Sequence, residues 1–219
     1  MADATRPLLL GHRGARAVRS IPENTIESFD RALTDGGDGF EFDVRITADG
    51  VAVICHDPRF HGFEIATAAA VQVPQLPRLE DVLSRYQERA FLDIELKVGG
   101  LEKMTLGLLS KYPPQRRFVV SSFLPEVLAA LRESDKQAPL GLICETRDEL
   151  RRWKDFSIEY VIPYYKLVTP SLVEEFKEAG KKSFVWTVND RAQIERFRNL
   201  KVDGMISDDT DLLRRTMRP

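Results

Sequence analysis

The chain has 219 residues, 43% hydrophobic and 30% charged, enough to bury one sizeable core and within the range over which an α/β barrel runs as one domain. A formal net charge of -2 leaves no basic excess to neutralise a phosphate backbone, which excludes nucleic acid as a main partner. No apolar run approaches the ~20 residues that span a bilayer, and Met1 to Pro7 carries no basic segment followed by a long apolar stretch, so no stable membrane insertion and a cytoplasmic location are expected.

The first strand is read at Leu8 to His12. A helix follows from Thr25 to Leu33; Asn24, with Glu27 three residues later, reads as its N-cap and capping box, and Gly36 falls where it stops. The second strand spans Phe40 to Val44. Thr47-Ala48-Asp49-Gly50 then joins two strand-like runs, a tight-hairpin signal that makes Val51 to His56 an excursion from the second unit. Pro58 to Pro77 has little periodicity and leads into a helix from Leu79 to Tyr86.

Strands are then read at Phe91 to Lys97, Phe118 to Phe123, Leu140 to Cys144, Tyr160 to Pro163, Ser183 to Val188 and Gly204 to Ser207. Between them, apolar spacings of three and four mark helices at Pro125 to Glu133, Leu172 to Ala179 and Ala192 to Phe197, with Gly180 at a helix stop. Eight strand-and-helix units in this length predict a closed (β/α)8 barrel occupying residues 1–219 as one domain. Cys55 and Cys144 each lie in an apolar run and are read as buried, reduced thiols, which favours a reducing compartment.

Ionisable residues gather where strands end: His12 and Arg13, Glu41 and Asp43, Glu95 and Lys97, Asp208 and Asp209. In a barrel these positions share one face, where such enzymes place their catalytic groups. Residues two apart on a strand point the same way, so Glu41 projects with Asp43 and Glu95 with Lys97. Three converging carboxylates call for positive charge, and oxygen-only ligands suit a hard divalent cation, Mg2+ or Ca2+. The bland alternative is that these carboxylates merely pair with Arg45 or Lys97.

His12-Arg13-Gly14 sets an imidazole, a phosphate-matching guanidinium and a permissive backbone at one strand end, and His56-Asp57 adds a second imidazole. Two histidines around a metal-bound phosphate are suited to serve as base and acid. His61 is read as a surface residue. Trp186, Phe123 and Phe60 are candidates for an apolar wall, Trp186 first because Asn189 follows three residues later in the loop.

The ordered set His12-Arg13-Gly14, Pro22-Glu23-Asn24-Thr25, Glu41-Phe42-Asp43-Val44, His56-Asp57, Glu95-Leu96-Lys97, Trp186-Thr187-Val188-Asn189 and Asp203-Gly204 closely resembles the glycerophosphodiester phosphodiesterase family, from residue 11 to about residue 209. The resemblance implies a TIM barrel and a divalent metal held by Glu41, Asp43 and Glu95. It implies His12 and His56 as the acid/base pair, Arg13 and Lys97 on the phosphate, and Glu23 near the metal; Trp186 is expected against the substrate, with Glu23, Asn24 and Asn189 in support. The implied reaction is hydrolysis of a glycerophosphodiester to sn-glycerol 3-phosphate and an alcohol. Where many members continue after His-Asp with an Arg-Thr-Thr stretch and a capping insertion, this chain has Pro58-Arg59-Phe60-His61-Gly62-Phe63.

Two other readings compete. One is a lysophospholipase D-type enzyme acting on lipids, which calls for exposed apolar loops or a membrane-binding helix. The other is a barrel that binds phosphodiesters without turnover. Homo-oligomerisation is compatible with all three.

Overall fold

A computed structural model describes residues 6–217. Eleven strands and eight α-helices follow in the order β1 (Leu8–His12), α1 (Ile26–Thr34), β2 (Gly39–Ile46), β3 (Ala52–Ile54), β4 (Arg59–Phe60), β5 (Phe63–Glu64), α2 (Leu79–Tyr86), β6 (Phe91–Leu96), α3 (Glu102–Lys111), β7 (Phe118–Ser122), α4 (Pro125–Ser134), β8 (Leu140–Cys144), α5 (Arg147–Arg151), β9 (Tyr160–Pro163), α6 (Pro170–Glu178), β10 (Lys182–Val185), α7 (Arg191–Leu200), β11 (Gly204–Ser207) and α8 (Thr210–Met217). Eight parallel strands run β1-β11-β10-β9-β8-β7-β6-β2, and β2 returns to pair with β1, which closes the barrel. Among the described residues no helix is long and apolar enough to cross a membrane.

Strand alternation sorts the side chains into two layers. On β6, Leu92, Ile94 and Leu96 join the layer under the helices, whereas Phe91 joins the barrel interior with Leu10, Val119, Tyr160, Phe184 and Ile206. The same period puts Phe40, Phe42 and Val44 of β2 against the helices, where the Phe29 ring stacks on Phe40 at 4.2 Å and locks α1 onto the strand. The opposite parity carries Gly39, Glu41 and Asp43, in register with Phe91, Asp93 and Glu95. The barrel is therefore apolar at its base and ionic at its C-terminal mouth. Gly39 sits opposite Phe91, and a Cβ there would overlap the Phe91 carbonyl, so the absence of a side chain lets the β2 and β6 backbones approach at this register.

The predicted hairpin is present: β3 runs antiparallel to β2, with Val44 opposite Ile54 and Gly50 at φ +78° in the turn. The N-cap of α1 is Thr25, not Asn24, because Thr25 Oγ1 accepts from Ser28 N while the Asn24 side chain is drawn into the barrel mouth. The aperiodic stretch after His56 contains the two-residue strands β4 and β5 and a 3-10 turn at Ala70–Gln72. Both cysteines are buried free thiols.

Candidate active site

The site begins where β1 ends. Arg13 (φ 53°) and Asn24 (φ 58°) both adopt the left-handed conformation, unusual for residues with a Cβ and costly unless the surroundings enforce it. The contacts of both residues enforce it. Arg13 N donates to Glu41 Oε2 at 3.0 Å, Arg13 O accepts from Asn24 N and Ser28 Oγ, and Asn24 Nδ2 donates to Asp43 Oδ2 at 2.8 Å. The loop between β1 and α1 is thereby stitched to both carboxylates of β2.

Glu41, Asp43 and Glu95 offer carboxylate oxygens that all lie within 4.8 Å of one another, and all three residues are buried. Glu41 Oε1 has no hydrogen-bond partner. Asp43 Oδ1 and Glu95 Oε1 face the Lys97 ammonium at 3.4 and 2.6 Å, and Arg13 Nε lies 3.3 Å from Asp43. Burial, reinforced by Asp43, Glu95 and Asp93, pushes Glu41 well above the ordinary carboxylate range; burial and Asp43 push Glu95 up to about 7 despite Lys97. Burial acts on Asp43 the same way, but Lys97, Arg13 and the Asn24 hydrogen bond hold it below its ordinary value. Three buried carboxylates with an orphaned oxygen and two cations among them fit a hard divalent cation ligated by oxygen. The bland pairing is half right: Lys97 does contact the carboxylates, whereas Arg45 turns away and donates to the His56 carbonyl.

Each candidate histidine carries a carboxylate on the same ring nitrogen. His12 Nδ1 meets Asp208 Oδ1 at 2.6 Å, and His56 Nδ1 meets Asp57 Oδ1 at 2.7 Å. An ionised carboxylate only accepts, so Nδ1 carries the proton in both rings and Nε2 is left for chemistry. His12 Nε2 lies 3.9 Å from Glu41 Oε2. Asn189 donates to Asp208 at 2.6 Å while its own carbonyl accepts from Asp208 N and Ser207 Oγ. Asn189 thus supports His12 at one remove and does not line the cavity.

A cavity of about 380 Å³ unites these groups. His12, Arg13, Glu41, His56, Glu95 and Lys97 form its ionic side, and Phe123, Ile143, Ile162, Trp186 and Ile206 its apolar side. Trp186 Nε1 donates to Ile162 O at 3.0 Å, which fixes the indole with an edge-on contact to Phe123. Phe60 lines a neighbouring cavity rather than this one, and His61 is exposed, as read. Glu23 does not join the carboxylate trio: it pairs with Arg13 at 2.8 Å and Arg16 at 2.6 Å, holding the guanidinium from outside.

Sequence reading missed Asp93, Glu145 and the roles of Asp57 and Asp208. Asp93 lines the cavity one layer below Glu95, accepts from Ser121 Oγ at 2.6 Å, and is pushed up to about 7 by burial. Its signal was available, because it precedes Glu95 by two residues on the same strand and so shares its face.

The chain matches the Glycerophosphoryl diester phosphodiesterase family over residues 12–82 and 70–212. A glycerophosphodiester phosphodiesterase of Caldanaerobacter subterraneus subsp. tengcongensis is 32% identical over 95% of this chain and 96% of its own. The crystal structure of a putative glycerophosphoryl diester phosphodiesterase from Silicibacter pomeroyi superimposes with a TM-score of 0.89 at 23% identity, covering 98% of this chain and 94% of that one. An Oleispira antarctica phosphodiesterase, solved with its product sn-glycerol-3-phosphate, superimposes with a TM-score of 0.84 at 23% identity over 98% of both chains. With matched segments spanning nearly the whole barrel and a relative of this similarity covered almost end to end, the chain belongs to the glycerophosphoryl diester phosphodiesterase family of enzymes.

Proposed function

We propose that the chain hydrolyses small glycerophosphodiesters to sn-glycerol 3-phosphate and an alcohol, with Glu41, Asp43 and Glu95 holding a divalent cation, Mg2+ or Ca2+. The observation that carries this is the buried carboxylate trio within 4.8 Å beside two carboxylate-clamped histidines. A bound cation would neutralise the phosphate and favour charge build-up on its oxygens.

The side chains do the rest. Arg13 presents a planar fork and Lys97 a point charge toward the phosphate from the ionic side of the cavity, and Phe123 with Trp186 packs the carbon skeleton of the substrate. Attack by water forms the new P–O bond as the P–O bond to the alcohol breaks. One histidine accepts the water proton at Nε2 and the other supplies a proton to the departing oxygen, the two exchanging charge state over the cycle. The buried thiols of Cys55 and Cys144 fit a reducing, cytoplasmic setting for this reaction.

The test is turnover of a panel of glycerophosphodiesters with Mg2+, Ca2+ and excess chelator. Metal-stimulated release of sn-glycerol 3-phosphate, abolished by chelator, is the expected result; full turnover in chelator overturns the metal assignment, and binding without turnover supports the non-catalytic barrel. One observation favours a lipid substrate instead: the exposed large apolar side chains among the described residues, Phe63 and Val71, both sit on the segment after His56. A higher kcat/KM for lysophosphatidylcholine than for glycerophosphocholine, lost in Phe63→Ser, would establish that reading.

A further inference from the structure

His12 and Arg13 are neighbours on the chain, yet their side chains diverge at the end of β1. His12 turns toward the end of β11, where its Nδ1 meets Asp208 Oδ1 at 2.6 Å, and Arg13 turns toward β2, where its Nε lies 3.3 Å from Asp43 Oδ2. The two are joined again on the outside of the site. Arg13 Nη1 donates to Glu23 Oε1 at 2.8 Å, Arg16 Nε donates to Glu23 Oε2 at 2.6 Å, and Arg16 Nη1 lies 3.4 Å from each oxygen of Asp208. His12, Asp208, Arg16, Glu23 and Arg13 therefore form a closed ring of contacts, completed by the peptide bond between residues 12 and 13. The loop that carries Arg16 is fixed against the end of β11, because Ala17 N donates to the Asp208 carbonyl at 2.9 Å.

Arg16 is the link between the two halves of the ring. Its guanidinium is 42% exposed, and an isolated ion pair in that setting adds little to stability. What it changes is the relation between two working groups. Asp208 orients the His12 imidazole and fixes its tautomer, and Glu23 holds the Arg13 guanidinium. A planar fork with diverging donors can hold both carboxylates at once, which a point charge cannot do in the same way. Burial works to raise Glu23, but hydrogen bonds from Arg13 and Arg16 keep it below the ordinary carboxylate range, so it stands as an anion between the two arginines.

We propose that Arg16 is a positioning residue: it braces Asp208 against Glu23 and so locks the His12 imidazole and the Arg13 guanidinium into one rigid unit. This rests on the reading of the chain as a glycerophosphodiesterase, in which His12 moves a proton and Arg13 holds the phosphate. Proton transfer and displacement at phosphorus require those two groups at a set separation, and a small misplacement costs rate. Arg19, three residues further along the same loop, supplies the control. It lines the open groove outside the ring but has no ion-pair partner among the described residues.

The experiment compares Arg16→Gln, Arg16→Lys and Arg19→Gln by three readouts: the proton and 15N resonances of His12 Nδ1, the calorimetric affinity for sn-glycerol 3-phosphate with Mg2+ present, and kcat on glycerophosphocholine. Arg16→Gln should shift the His12 Nδ1 proton downfield, since Asp208 then accepts from the imidazole without competition from Arg16. It should also weaken product binding and lower kcat by about fivefold each, the scale of a coupled contact. In a Glu23→Gln background Arg16→Gln should cause no further loss of product affinity, and in an Asp208→Asn background no further loss of kcat, because the brace is already cut. Arg16→Lys keeps the charge without the fork and should leave at least one of the two arms impaired. Unmoved His12 resonances and product affinity in Arg16→Gln overturn the proposal, as do fully additive losses in both backgrounds. Equal losses in Arg19→Gln, or full recovery of both arms in Arg16→Lys, overturn it too, by making net charge the cause. Failure of the underlying reading is distinct: the wild type then hydrolyses no glycerophosphodiester, whatever the His12 resonances do in Arg16→Gln.

Discussion

Replacing Asp208 by Asn perturbs the point where the geometry around His12, the proposed base, is most tightly specified. One carboxylate oxygen lies 2.6 Å from His12 Nδ1 and the other accepts from Asn189 Nδ2 at 2.6 Å, with Arg16 Nη1 at 3.4 Å. An amide of the same size cannot keep both. Its oxygen will turn to the Asn189 and Arg16 donors, because its NH2 group there would face donors only. The NH2 group then points at His12 Nδ1, which must accept, and the ring proton moves to Nε2. A base with that nitrogen blocked cannot take a proton from water, so kcat should fall about 10²- to 10⁴-fold.

The stability effect follows from the same contacts. Burial works to raise the Asp208 carboxyl, but the His12 hydrogen bond and charge, with Asn189 and Arg16, bring it from 3.8 down to about 2. At about 1.4 kcal/mol per pH unit, that is about 2 kcal/mol of stability at neutral pH. The folded-state value lies below the unfolded one, so the contribution is complete above the ordinary carboxyl range and fades as pH drops through about 2. Asp208→Asn should therefore melt about 4 to 8 °C lower at pH 7 in a chain of this size. The assay is steady-state kinetics at saturating metal, with melting by calorimetry and 15N shifts of the imidazoles, which only three histidines keep simple to assign. A variant that keeps wild-type kcat, or whose His12 remains protonated at Nδ1, refutes the reasoning.

His12→Ala and His56→Ala should each lower kcat about a hundredfold or more while leaving metal affinity in place, checked by kinetics and metal titration. In the metal-free protein the melting temperature should fall as pH rises from the ordinary carboxyl range through about 7. Glu41 and Glu95 are raised on folding, so the folded state holds protons that the unfolded state has lost, and stability drains as those protons leave. A divalent cation should cancel this slope, and a flat profile without metal would count against it. Gly39→Ala should lower the urea midpoint by the equivalent of about 3 kcal/mol, since the Phe91 carbonyl occupies the space of the added methyl group.

What the sequence disclosed and what it withheld divide along a physical line. Periodicity located all eight barrel strands, because a strand buried on both faces leaves a short unbroken apolar run, as at Leu140–Cys144. The same alternation paired Glu41 with Asp43 and Glu95 with Lys97. It failed at Asn24, where a capping pattern pointed to local helix initiation while the side chain serves a long-range contact to Asp43. It was silent on His12 and Asp208, residues 196 positions apart that meet only because the barrel closes β11 onto β1. Contacts of that kind leave no trace in spacing. The cavity beside His56 was partly hidden, since Phe60, Gln75, Leu76 and Pro77 of its wall come from the stretch that lacks a period.

Charge arithmetic at the barrel mouth yields a final prediction. Glu41, Asp43 and Glu95 contribute three negative charges when ionised, and Arg13 and Lys97, the cations among them, contribute two positive ones. A phosphodiester brings one more negative charge, and the product monoester brings more again. In a buried site this deficit is not spread into water, and burial, with the neighbouring carboxylates adding to it, pushes Glu41 and Glu95 upward. Protonation would relieve the strain in the metal-free protein but would leave Lys97 and Arg13 engaged with carboxylates and poorly disposed toward phosphate. A divalent cation on the trio would reverse the deficit and loosen Lys97 and Arg13 from these carboxylates. Binding of sn-glycerol 3-phosphate should therefore be coupled to the cation by about 10-fold or more, and by linkage the product should tighten the cation by the same factor. Calorimetric titration of product with and without Ca2+, and of Ca2+ with and without product, measures both legs of the cycle. In Lys97→Ala the coupling should shrink, because one of the two cations that the metal releases is gone. Equal product affinity with and without the cation would mean that Arg13 and Lys97 already face the phosphate unaided, and would remove the electrostatic reason for gathering three carboxylates beside them.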